Sequence, residues 1–176
     1  MSITKFCVNN KGFAIGVILL CVALIAILAA GFAISSRGLP ANIYTGACVS
    51  ELVSQANLIR TKIGKCGVDY PEGDNGTSFH KTYPAGATET EVSALTCPGA
   101  SAESNGLWTG IDGTFLPKTP TGFNSWKYFN DATSARIIIQ TTSASSYGTC
   151  MEKTAAKFSN SEASVSGDTL TFTIIN

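Results

Sequence analysis

Hydrophobic positions are spread along this chain in three different patterns. From Phe13 to Ile34 they are continuous, and 22 residues pass without a charge, an amide or a hydroxyl. As a helix this run would extend about 33 Å, close to the roughly 30 Å hydrocarbon thickness of a bilayer. A helix that is apolar on every side cannot face water, so the pattern predicts a spanning helix over 13–36. Gly38 and Pro40 follow it, and proline disfavours helical backbone in the residue before it. From Asn42 to Lys65 the spacing changes. Val49, Leu52, Val53, Ala56, Ile59 and Ile63 recur at steps of three and four, with Glu51, Ser54, Gln55, Arg60 and Lys62 between them. This predicts an amphipathic helix over 42–65 with one face to bury.

Beyond Lys65 the periodicity fades. Residues 66–106 are rich in Gly, Pro, Ser, Thr, Asp and Glu, and predict a long loop of the kind that is functional or tied down. Residues 107–176 predict a sheet region. Leu107–Leu116 holds a short strand, and Trp126–Phe129 and Ala135–Thr142 are β-branched or aromatic runs with Asn130-Asp131 as a turn between them. Asp168–Ile175 alternates Leu170, Phe172 and Ile174 with three threonines, the period of a half-buried strand. Thr149-Cys-Met-Glu152 fits a capping box that opens a short helix reaching about Phe158. The order predicts an α+β fold, a long N-terminal helix with an apolar transmembrane half and an amphipathic half, packed on a small antiparallel sheet.

Charge orients this arrangement. Lys5 and Lys11 precede the apolar run, Arg37 follows it, and all 12 acidic residues lie beyond it. After Gly38 there are nine Lys/Arg against twelve Asp/Glu, a balance of −3 in a chain that is neutral overall. Basic residues before a span favour a cytoplasmic N-terminus. The acidic exported part offers no phosphate-binding surface, so no nucleic acid is expected. Cysteines stand at 7, 21, 48, 66, 97 and 150. Four fall in the exported part, which reads as two disulfides with three pairings open. A Cys66–Cys97 bridge would close the 66–106 loop. Cys150 could reach Cys48 if the short helix covers the same sheet face as the amphipathic one.

The start of the chain is the most specific feature. A secretory signal has an apolar core of about 7–15 residues, shorter than this run. The polar leader MSITKFCVNNKG, ending in Lys11-Gly12 and followed at once by Phe13 and the apolar run, resembles the class III leader of type IV pilins and type II secretion pseudopilins. That resemblance implies cleavage between Gly12 and Phe13 by a prepilin peptidase and N-methylation of Phe13. It implies a leader at 1–12, a transmembrane and filament-core helix at 13–36, and an extracytoplasmic pilin-like head at 42–176. It also implies an inner-membrane protein that later joins a filament through contacts with other pilin or pseudopilin subunits. Most members of that family carry a glutamate where this chain has Val17, so the resemblance points to a minor or tip subunit. The alternative is an uncleaved single-pass protein with a disulfide-stabilised binding or sensing ectodomain.

Candidate chemistry adds little. No catalytic residue, cofactor or metal ligand is assigned, and the expected role is non-enzymatic. His80 is the only histidine and reads as an exposed loop residue. Glu72, Asp74, Asn75 and Thr77 could present oxygens to calcium, but their spacing departs from the EF-hand pattern and reads as turns. Asn75-Gly-Thr77 also fits a glycosylation sequon, which the leader's bacterial character argues against. Trp108, Phe115, Phe123, Trp126, Tyr128 and Phe129 concentrate aromatic mass around a Pro/Gly turn region, and read as core rather than as an adhesive patch.

Overall fold

The amphipathic spacing produces a helix, α1, over Ala41–Asp69. The computed structural model describes residues 41–76, 80–104, 106–131 and 133–175. On α1 the residues Val49, Leu52, Ala56, Ile59, Ile63 and Cys66 are buried, while Ser50, Ser54, Asn57, Thr61 and Lys65 face water. Each fully buried Leu or Ile side chain contributes about 1.5–3 kcal/mol through area removed from water. The helix ends because Pro71 disfavours helical backbone at Tyr70. The Tyr70 amide makes the closing bond to the Cys66 carbonyl at 2.9 Å.

Five antiparallel strands form one sheet: β1 (Gly86–Glu91), β2 (Lys127–Asn130), β3 (Ala135–Gln140), β4 (Ala163–Ser166) and β5 (Thr169–Ile175), in the order β1-β2-β3-β5-β4. A 3-10 turn at Val92–Ala94 follows β1, and helix α2 spans Ala144–Ala155 between β3 and β4. Pairing of Tyr128 with Ile137, and of Ile137 with Phe172, aligns the inner face. Tyr128, Asn130, Ala135, Ile137, Ile139, Leu170 and Phe172 are buried there. The alternate residues Phe129, Arg136, Ile138, Thr169, Thr171 and Thr173 form the half-buried outer face. The stripe of α1, the inner face of the sheet, and Cys150 and Met151 of α2 share one core.

One polar contact crosses that core. The Trp126 indole N–H donates to Gln55 Oε1 at 2.8 Å, and Gln55 Nε2 donates to the Lys118 carbonyl at 2.9 Å. Gln55 is buried, so it fixes the register of helix, sheet and the 117–122 turn at once. Two disulfides complete the frame, Cys48–Cys150 and Cys66–Cys97. Both bond the pairs that loop closure and a shared sheet face favoured.

The expected fold class needs correction. Among the described residues no helix is long and apolar enough to cross a membrane. The first helix among the described residues is α1, whose Glu51, Ser54, Asn57, Thr61 and Lys65 are exposed and leave it apolar on one face only. Among the described residues the structure has two α-helices and a five-stranded antiparallel sheet, in place of the expected apolar-plus-amphipathic helix on a smaller sheet. The span expected at 13–36 lies outside the described residues.

Several local expectations change as well. α1 continues four residues past Lys65. Leu107–Leu116 is not a strand, because Gly110 and Gly113 take left-handed backbone (φ 77° and 74°) and turn it. β1 arises inside the expected loop, and β4 was not anticipated. Thr149 does not cap a helix. It sits inside α2, whose N-cap is Ser143. Asn130 is the buried last residue of β2 rather than part of a turn.

The bridges close segments of 102 and 31 residues, and chain entropy gives about 4.7 and about 3.7 kcal/mol for such loops. Replacing Cys48 and Cys150 by alanine is therefore expected to cost about 1 kcal/mol more than replacing Cys66 and Cys97. Equilibrium urea unfolding of the two double variants measures the difference. A larger loss on removing Cys66–Cys97 would contradict the loop-length argument.

Candidate functional site

The last turns of α1 place Lys62, Lys65, Cys66 and Asp69 on one side, three and four residues apart. Facing them are Cys97 and the 106–112 segment, including Leu107, Ile111 and Asp112. Between these walls lies a cleft of about 140 Å³. Lys62 is ion-paired with Asp112 and sits 5.9 Å from the centroid of the Trp108 ring. Lys65 pairs with Asp69 one turn on. Hydrogen bonding to Lys62 holds the Asp112 carboxyl below its ordinary range, and hydrogen bonding to Asp69 raises the Lys65 ammonium. Two ammonium groups thus face two carboxylates of their own, and the cleft offers a small guest a surface of balanced charge. Ile111 at its rim and Phe115 beyond it are 68% and 67% exposed.

The loop above the disulfide is held by amides. Asn75 Nδ2 donates to the His80 carbonyl at 3.1 Å and to the Tyr83 carbonyl at 2.8 Å. From the sheet, Asn130 Nδ2 donates to the His80 and Pro84 carbonyls at 3.3 and 3.1 Å. Tyr128 Oη donates to the Pro84 carbonyl at 3.1 Å. Burial raises the Tyr128 phenol well above its ordinary range. His80 itself has left-handed backbone (φ 41°), stacks on Tyr83 with ring centroids 5.3 Å apart, and is half-buried. It is not the exposed loop residue expected.

The remaining sequence candidates separate. Glu72 and Asp74 are exposed, Asp74 faces Lys81 at 3.6 Å, and Asn75 turns its NH₂ toward its neighbours' carbonyls. Thr77 lies outside the described residues. Among the described residues no three His, Cys, Asp or Glu side chains are grouped to hold a metal ion. The Asn75 NH₂, which a sequon would present for glycosylation, is already bonded. Of the six aromatics, Phe123, Trp126 and Tyr128 are buried, Trp108 and Phe129 are half-buried, and Phe115 is exposed. Gly12, Phe13 and Val17 lie outside the described residues. The sequence reading missed the Asn75–Asn130 clamp. An asparagine directly after the strand run Trp126–Phe129 was its only visible signal.

No family model, curated protein or solved structure matches this chain. The functional reading therefore stands on its own residues.

Burial pushes the His80 imidazole below its ordinary 6.5. A lowered folded-state value means the unfolded chain binds the proton first, so stability falls as pH drops below about 6.5. Hydrogen bonding holds Asp112, Asp131 and Glu162 low, and their contributions are lost only at more acid pH. Thermal melting is therefore expected to weaken between pH 7 and about pH 5, with His80→Asn flattening that window. Asparagine suits the left-handed backbone there. An unchanged slope in the variant would remove His80 as the cause.

Proposed function

We propose that this chain is a structural, non-enzymatic subunit, minor or tip in position, of a type IV pilus or a related secretion or uptake filament. The observation that carries this reading is the junction Lys11-Gly12-Phe13, followed without interruption by the apolar run to Ile34. A peptidase that cuts there removes the charged leader and leaves the apolar segment in the protein. Such a segment satisfies its backbone bonds internally in lipid. Small residues such as Gly16, Ala23, Ala26, Ala30 and Gly31 allow close approach of a neighbouring helix.

The head is consistent with export. Its two disulfides suit an oxidising compartment, and its acidic balance lies on the far side of the span from Lys5 and Lys11. On this reading the protein enters the inner membrane with its N-terminus cytoplasmic. It then meets prepilin peptidase, and afterwards leaves the bilayer by packing against other pilin or pseudopilin subunits. Val17 supports a minor or tip place. An uncharged position there cannot pair with the terminal amine of a neighbour, whereas a subunit with no neighbour above it has no such amine to meet.

The test is the intact mass of protein recovered from a bacterial membrane that contains prepilin peptidase. Expected is loss of residues 1–12 and gain of one methyl on Phe13, with Gly12→Leu retaining the leader. A wild-type chain that keeps residues 1–12 would favour the single-pass ectodomain instead, and a cut near residue 31 would exclude both readings.

A further inference from the structure

Asn75-Gly76 is one of two Asn-Gly pairs in this chain, the dipeptide most open to spontaneous amide loss. Glycine has no side chain to hinder its own backbone nitrogen as it approaches the asparagine carboxamide. Asparagine is for this reason among the thermolabile residues. In this fold both partners are held away from that reaction. The leaving group, Asn75 Nδ2, donates to the His80 and Tyr83 carbonyls at 3.1 and 2.8 Å. The Asn75 backbone N–H donates to the Lys81 carbonyl at 2.9 Å. The nucleophile, Gly76 N, donates its proton to Asp74 Oδ1 at 2.8 Å, with Gly76 in left-handed backbone (φ 79°). The Asp74 carboxylate engages the Gly76 proton and opposes formation of the amide anion that would attack.

We propose that Asn75 is a deamidation site gated by the fold, protected while the disulfide-closed loop is clamped and modified once the loop opens. The step balances simply. Gly76 N bonds to Asn75 Cγ, the Cγ–Nδ2 bond breaks, and Nδ2 leaves as ammonia with the Gly76 proton. Water then opens the cyclic imide at either carbonyl, giving aspartate or isoaspartate at 75. The product cannot reverse the opening. A carboxylate there would face the His80 and Tyr83 carbonyls with no hydrogen to donate, leaving the His80 carbonyl to Asn130 Nδ2 and the Tyr83 N–H. Position 75 thus becomes a record of chains whose loop has been open, through lost oxidation or partial unfolding. This inference does not depend on cleavage of the leader.

The experiment uses the full chain with both disulfides intact in neutral detergent, beside the same chain reduced and unfolded in urea. Both are held in mildly alkaline buffer, and peptide mapping follows aspartate and isoaspartate at 75 separately from those at Asn105-Gly106. Deamidation of Asn75 is expected to be at least about tenfold slower in the folded chain, as a loop open less than a tenth of the time requires. Asp74→Ala is expected to raise the folded rate severalfold with the circular dichroism unchanged. The Cys66→Ala, Cys97→Ala pair is expected to do the same. Should that pair unfold the head, circular dichroism shows it, and Asp74→Ala alone decides. Equal rates in folded and unfolded chains, or no response to Asp74→Ala, would overturn the proposal. Asn75→Asp reports on the product: the backbone amides of residue 75 and Tyr83, bonded to the Lys81 and His80 carbonyls, are expected to exchange faster than in the parent, and parent-like exchange would refute the loss of the clamp.

Discussion

The apolar stripe of α1 has to be covered, and the rest of the described fold is arranged by that requirement. Cys48 and Cys66 stand eighteen residues apart, about five turns, so they lie on the same side of the helix and bracket the stripe between them. Leu52, Ala56, Ile59 and Ile63 are fully buried in the interval. At one end the helix is bonded to α2 through Cys150, and at the other to the segment after β1 through Cys97. Midway, Gln55 meets the Trp126 indole. Three specific contacts along one line leave the helix little freedom to slide or roll on the sheet. The apolar contacts supply most of the energy, and these three supply the register.

Size explains why both kinds of contact are needed. Small domains bury a modest fraction of their surface, and cross-links commonly supplement such cores. The sheet here adds little at its edges. β1 is polar, carries a register irregularity, and sets Glu89 and Glu91 against Lys127. Bulges and charges of this kind blunt an edge against pairing with another chain. β4 is only four residues long. The centre, β2, β3 and β5, carries the buried aromatics and isoleucines. Phe172 makes the densest aromatic contact, edge-on to Phe158 at 5.1 Å and tilted to Trp126 at 5.9 Å.

What could be read in the sequence follows from this division. The stripe of α1 and the strands β2, β3 and β5 carry strong apolar periodicity, and all were legible as elements. So was the Cys66–Cys97 bridge, because both cysteines flank a segment without periodicity. β1 was hidden because Gly86-Ala-Thr-Glu-Thr-Glu91 buries only Gly86, so it shows no alternation of apolar residues. β4 has a single buried residue, Ala163, and was hidden for the same reason. The Thr149–Glu152 pattern misled because a capping box needs a non-helical residue at its head. Here the helix had already begun five residues earlier, at Ala144. The membrane-spanning half of the expected fold is a different matter, since it concerned 13–36 and the structure describes the chain from Ala41. The cleft and the Asn75–Asn130 clamp were illegible in principle. The cleft joins Lys62 to Asp112, fifty residues on, and the clamp works through backbone carbonyls, which no residue letter encodes.

The clamp also shows how a loop without periodicity becomes ordered. The described residues 70–76 and 80–85 bury little apolar side-chain surface, so their order comes from cross-links and hydrogen bonds rather than packing. A covalent bond joins the ends, and amide donors from Asn75 and Asn130 hold the carbonyls of His80, Tyr83 and Pro84. Loop closure lowers the entropy that the hydrogen bonds must offset, and each such bond nets only about 1 kcal/mol. Neither device is sufficient alone. Remove the covalent tie and a handful of bonds must restrain the whole segment. Remove the donors and the His80, Tyr83 and Pro84 carbonyls lose the side-chain bonds that fix that part of the loop. Local opening of this segment is therefore expected at a lower free energy than unfolding of the core beneath it. The loop's chemistry, at Asn75 above all, is decided by how often that opening occurs.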